Sequence, residues 1–239
     1  LRGISAMLNT NRSLIILSIM ALTMACDEPN EETQITDIDG NIYTSVIIGE
    51  QEWMVENLKV THYRNGDAIL NLNSDEDWSS DISGAYCAFD RDENISSVYG
   101  YLFNWFAVND DRKLAPSGWH IPTDTEWKEL EVFLGMSWET VDIKGTRGSD
   151  QGDKLKEIGD VWSTSNYAEP TNESGFTALP GGERINDGYF GGLGEATSFW
   201  TSSSESEGRP WYRSLGNTAR IGRFDIHTNR GCYVRCIRD

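Results

Sequence analysis

The stretch Gly118-Trp119-His120-Ile121-Pro122-Thr123-Asp124-Thr125-Glu126-Trp127 decides how the middle of this chain is built. Thr123 with Glu126 three residues later is a capping box, in which the hydroxyl and the carboxylate each satisfy a backbone N–H that the first helical turn leaves unpaired. A helix therefore starts here. Trp127, Leu130, Phe133 and Leu134 recur at helical spacing and form its expected buried face. Asp124, Lys128, Glu129 and Glu131 form the expected solvent face, and Gly135 the left-handed stop. Trp119 and Ile121 bracket His120 in a short alternating run, which reads as a buried connection with His120 as a hydrogen-bonded core histidine.

Upstream, counting from an expected start at Met7, Arg12 precedes the apolar run Leu14 to Met20 and small residues that end at Cys26. Residues 1–25 thus have the layout of a signal peptide, with an apolar run too short to span a bilayer comfortably. Cys26 resembles a lipobox cysteine and is the expected lipidation site. The protein is expected outside the cytoplasm, held to the membrane by that lipid at the outer membrane or cell surface. Residues 26–35, beginning Cys26-Asp27-Glu28-Pro29-Asn30-Glu31-Glu32, are an expected acidic tether. An acidic segment behind a lipidated cysteine resembles the surface-export signal of Bacteroidetes-type lipoproteins, although a solvated linker needs the same residues.

Residues 1–25 hold Arg2 and Arg12 and no acid, so without them 18 basic residues face 38 acidic ones, a formal charge of −20. Such a surface repels nucleic acid. Seven arginines nevertheless follow position 208, against Asp225 and Asp239. They are expected to face solvent on paired strands, neutralised by acids elsewhere in the fold.

Residues 36–239 read as one domain, rich in aromatics and glycine, with only two convincing helical patterns, the central one and Asp153 to Ile158. Ile42, Tyr43 and Val46 to Ile48, broken by turn residues, predict an N-terminal hairpin or meander. Asp37-x-Asp39-Gly40-Asn41 is expected to be a turn, because no glutamate closes a calcium loop behind it. Trp211 to Leu215, Ala219 to Phe224 and Cys232 to Ile237 predict three antiparallel closing strands.

No His-Glu-x-x-His, Cys-x-x-Cys, Gly-x-Ser-x-Gly, P-loop or dinucleotide fingerprint occurs, so the chain is expected not to be an enzyme. Two binding chemistries have candidate residues. Asp90, Asp92 and Asn94 offer oxygens at alternate positions, as calcium requires. Trp162, Tyr167, Tyr189 and Trp211 sit in or beside polar glycine-rich loops, where aromatic rings can stack on a glycan or meet a protein ligand. In an oxidising compartment Cys87 has Cys232 and Cys236 as candidate disulfide partners once Cys26 is spent on lipid.

Asp37-Ile38-Asp39-Gly40-Asn41, Trp53-Met54-x-Glu56-Asn57-Leu58, Gly118-Trp119-His120-Ile121-Pro122-Thr123, Asn172-Glu173-Ser174-Gly175-Phe176-x-Ala178-Leu179-Pro180-Gly181-Gly182 and Val234-Arg235-Cys236-Ile237-Arg238-Asp239 together resemble the Fibrobacter succinogenes major paralogous domain. That resemblance, running from Thr36 to Asp239, implies a bacterial lipoprotein and no settled activity. It places cysteines at positions 87 and 236, which implies a Cys87–Cys236 disulfide. The helix start and closing strand also resemble formylglycine-generating-enzyme-like domains. This implies an α+β, C-type-lectin-like fold with two short helices, small twisted antiparallel sheets and long loops. The same resemblance offers an alternative function, an enzyme using Cys232 and Cys236.

Overall fold

The computed structural model describes residues 34–163 and 169–239, so Cys26, the signal-like segment and Tyr167 lie outside the described residues. The chain opens with a hairpin of β1 (Ile35–Thr36) and β2 (Ile42–Tyr43). The expected turn joins them. One Asp37 oxygen accepts from the backbone N–H groups of Asp39 and Asn41, and the other from the Tyr43 hydroxyl at 2.6 Å. Ile35, expected in the tether, is already buried in the core.

Next come β3 (Ser45–Ile48), β4 (Gln51–Met54), β5 (Leu70–Asn71), α1 (Asp75–Ser80), β6 (Ala85–Cys87), α2 (Glu93–Tyr99), β7 (Leu102–Phe103), α3 (Trp105–Val108) and β8 (Trp119–His120). The central helix α4 (Asp124–Phe133) leads to α5 (Trp138–Val141), β9 (Gly145–Arg147) and α6 (Gln151–Leu155). The remaining strands are β10 (Gly181–Arg184), β11 (Phe190–Leu193), β12 (Thr197–Ser206), β13 (Arg209–Leu215), β14 (Ile221–Asp225) and β15 (Ile237–Arg238). This is a mixed α+β architecture of several small sheets with few helices.

Six α-helices stand among the described residues where two were expected. Ser74, Asp92, Asn104 and Ser137 start four of the short ones, each side chain accepting from a backbone N–H two or three residues on. Elements of four to seven residues are too short to display a helical period, which is why only their caps could have announced them.

The largest sheet runs β11-β10-β12-β13-β14-β9, larger than expected, and two pairings, β10 with β12 and β5 with β6, are parallel. The third closing segment does not join the other two. β15 instead inserts between β4 and β8 in a four-stranded sheet. Leading into it, Cys232, Val234 and Cys236 enter a core with Met54, Phe103 and Trp200, whereas Tyr233 and Ile237 enter one with Trp53, Trp127, Phe176 and Phe199. The period of two in an extended chain lets one segment feed both cores.

Arg235 lies on the second side, fully buried over the Phe176 ring at 4.3 Å. Its guanidinium donates to Asn57 Oδ1 at 3.0 and 2.8 Å and to the Phe176 carbonyl. Burial pulls its pKa down to about 9.

The other arginines correct the expected surface. Arg238 is exposed and Arg209 half-buried, but Arg213 and Arg223 are buried, with Arg147, against helix α4. Asp124 accepts from Arg213 at 2.8 Å and from Arg223 at 2.9 and 2.8 Å, and pairs with Lys128 at 3.0 Å. Glu131 accepts from Arg147 and Arg213, at 2.5 Å each. Acids elsewhere do neutralise these arginines, but they do so inside. The expected solvent face of α4 is therefore wrong at Asp124 and Glu131, and its expected buried face is wrong at Phe133, which is exposed. Likewise Ile158, expected inward on the second helix, lies beyond α6 and is exposed.

Candidate functional site

The loop aromatics do not form a common platform. Trp162 is buried, donates its indole N–H to the Ala178 carbonyl at 3.2 Å, and packs beside Lys156. Trp211 is also buried, stacked 3.7 Å from the Arg223 guanidinium. Of the three described, only Tyr189 is exposed. Both tryptophans were expected at a ligand surface because their neighbours are polar and glycine-rich, but Lys156 and Arg223, brought in from other segments, lie over the rings.

The calcium candidates are held by local structure. Phe89–Arg91 is a 3₁₀ turn, with Asp90 at φ +50. Asp92 caps α2, one carboxylate oxygen accepting from the Asn94 backbone N–H at 2.9 Å and side-chain amide at 2.8 Å. Among the described residues no group of three or more His, Cys, Asp or Glu is placed to hold a metal ion.

Cys87, Cys232 and Cys236 are free, buried thiols, so the expected Cys87–Cys236 disulfide is not formed. Strand alternation gives the reason. Cys87 points into the Trp127 core, whereas Cys232 and Cys236 point into the Trp200 core. Burial pushes the Cys87 thiol up to about 11 and raises the other two far above their ordinary value, which suppresses the nucleophilic thiolate.

The open aromatic surface lies elsewhere, at the C-terminal end of α4. A cleft of about 550 Å³ is bounded by the β3–β4 turn, α4 and the start of α5. Phe133 and Trp138 line it and are 61% and 55% exposed. Gly49, in the turn at φ +66, seats the Phe133 ring: a Cβ there would stand 2.9 Å from Phe133 Cδ2. Gly135, at φ +104, ends α4 and turns the chain so that Leu134, Met136 and Val141 are buried while Trp138 stays outside.

Gln51 ties β4 to the helix. Its Nε2 donates to the Glu126 carbonyl and to Glu129 Oε2, both at 3.0 Å, and its Oε1 accepts from Trp53 Nε1. The amide is thus fully used. The charged groups left facing the cleft are the exposed carboxylates of Glu50 and Glu129. Glu129 and Phe133 are four residues apart and share one stripe of the helix.

A narrower cleft of about 270 Å³ includes Arg64, Leu114, Trp119, His120 and Asp239 in its lining. His120 is hydrogen-bonded, as expected, but only half-buried. Its Nε2 meets Glu126 Oε1 at 2.9 Å and its Nδ1 meets Asp239 Oδ1 at 2.8 Å. Burial opposes the charged ring, yet the bonds to Glu126 and Asp239 outweigh it and raise the pKa. With both nitrogens facing carboxylates, His120 is a clamp between β8, the capping box and the end of the chain rather than a free base.

Sequence reasoning missed the wider cleft because it placed Phe133 inward. Trp138 directly behind a helix stop was the available signal. Residues 46–238 match the Fibrobacter succinogenes major domain, and the chain belongs to that family. No curated protein and no solved structure matches it.

Proposed function

Within the Fibrobacter succinogenes major domain family, we propose that this chain is a non-catalytic binding or adhesion domain, lipid-anchored through Cys26 at the outer membrane or cell surface. The observation that carries the binding reading is the pair of exposed rings, Phe133 and Trp138, held over one open cleft. Burying a large apolar side chain is worth about 1.5–3 kcal/mol, and two such side chains left in water around one cleft fit an interaction surface. The anchoring rests on the sequence before residue 34, and the C-type-lectin-like reading of the fold on its small sheets and long loops. Buried thiols with raised pKa values count against the alternative enzyme that would use Cys232 and Cys236.

Cells producing the chain test both halves. A fatty-acid analogue should label the wild type and not Cys26→Ala, and external proteinase should degrade the domain on intact cells. Such cells should adhere to surfaces coated with polysaccharide or protein, and the Phe133→Ala/Trp138→Ala variant should stay anchored but lose adherence. Equal labelling of Cys26→Ala removes the anchor, and equal adherence of the double variant removes the site.

A further inference from the structure

Building on the cleft as the binding site, we propose that its ligand is an uncharged glycan, with a pyranose ring laid on Phe133 and Trp138 and its hydroxyls donating to Glu50 and Glu129. Three observations lead there. Two exposed aromatic rings line the cleft, and aromatic faces stack against the C–H side of a sugar ring. The charged groups at the rim are carboxylates, whose oxygens accept and cannot donate, so a ligand must bring hydroxyl or other donors to them. Finally, no Lys or Arg stands among the residues lining this cleft, and the whole chain carries a formal charge of −18.

That charge decides between ligand classes. A uronate- or sulfate-bearing glycan would place its anions beside Glu50 and Glu129 with no cation to receive them. A second copy of the same acidic chain would meet like charge at the same rim. A neutral pyranose meets neither obstacle. Seating of Phe133 on Gly49, and the Gln51 bonds that hold Glu129, fix the platform before any ligand arrives.

The test is affinity electrophoresis of the full chain in a non-sugar detergent, through gels containing galactomannan, xyloglucan or mixed-linkage β-glucan, and in parallel polygalacturonate or alginate. At least one neutral polysaccharide should retard the wild type, with affinity falling at least ten-fold in both Phe133→Ala and Trp138→Ala. Both variants should keep the wild-type melting temperature, since each ring is mostly exposed. The polyuronates should leave mobility unchanged.

Retardation by polyuronates alone would overturn the assignment, as would neutral retardation that both variants retain. Ring-dependent adherence to protein-coated surfaces without any neutral retardation would overturn the glycan while leaving the cleft as a binding site. Ring-dependent self-association in light scattering would likewise replace the glycan with a second copy. If adherence, retardation and self-association were all indifferent to both rings, the cleft itself would fail as the site.

Discussion

Helix α4 has two flanks that reverse the usual distribution of charge and apolar surface. On one, Asp124 and Glu131 are buried against Arg147, Arg213 and Arg223 from three neighbouring strands. At the far end of the other, Phe133 is exposed, with Trp138 beside it beyond the helix stop. The difference separates two roles. Buried ions gain little net stability over an apolar core, but they demand one geometry, so they fix the rotation of the helix. Once that rotation is fixed, position 133 has nowhere to go but out. The ionic flank therefore orients the helix, and the aromatic flank is what the orientation presents.

Removing an acid from the ionic flank should have the largest effect. Glu131→Ala leaves Arg147 in the interior without a carboxylate and Arg213 with Asp124 alone, and breaking a buried pair from one side costs about 3–5 kcal/mol. Denaturant unfolding should show that loss. A change below about 1 kcal/mol would mean water reaches the guanidinium groups and that the flank does not orient the helix. Acid attacks the same flank through Asp124. Burial alone would raise its pKa, but Arg223, Arg213 and Lys128 outweigh that and hold it well below the usual carboxylate range. A depressed folded pKa means that its contribution is complete above about pH 4 and is lost as pH falls through the lower folded value. Stability of an Asp124→Asn variant should therefore depend less on pH in that acid range than the wild type does.

Which parts of this were legible beforehand follows from the same contrast. The capping box, the stop at Gly135 and the inward Trp127 and Leu130 are local signals, and all four are present. The inward charges were not legible, because their partners lie 16 to 99 residues away and helical periodicity treats any acid as solvent-facing. The same blindness misplaced Phe133, since an apolar residue beside Leu134 satisfies the period whichever of the two is buried. At the chain's end, alternation in Cys232 to Ile237 was visible, but not that each side has its own core. That second fact separates Cys87 from Cys236. Trp162 and Trp211 were found as aromatics, yet the cations that cover them come from distant or differently folded segments.

Smaller effects belong to the N-terminal end of α4. Thr123→Ala removes the hydroxyl half of the capping box and should cost about 1 kcal/mol in thermal or denaturant unfolding. An unchanged stability would show that the ionic flank alone sets where the helix begins. Next to it, His120 has a folded pKa raised by Glu126 and Asp239 despite burial. Its contribution is then fully present below the unfolded value near pH 6.5 and is lost as pH rises through the folded one. The melting-temperature gap between wild type and His120→Gln should accordingly be positive in mildly acid solution and shrink as pH rises. A gap that widened with pH would mean that the neutral ring is the stabilising form.

The smallest expected effect on stability is at the aromatic flank, and it sharpens the comparison most. Phe133 packs on Gly49 and is 61% exposed, while Trp138 is 55% exposed. Phe133→Ala gives up that packing but puts a better helix former in the last turn, so the two terms oppose each other. Trp138→Ala loses partial burial and likewise gains propensity in α5. Each variant should stay within about 0.5 kcal/mol of wild type in denaturant unfolding, the range of surface substitutions that touch no special feature. A loss of about 3 kcal/mol, as for an aromatic truncated inside a core, would mean that the rings hold the fold and that the cleft closes in solution. Near-neutral stability together with lost adherence would instead leave one explanation for keeping two large rings in water, namely that the ligand covers them.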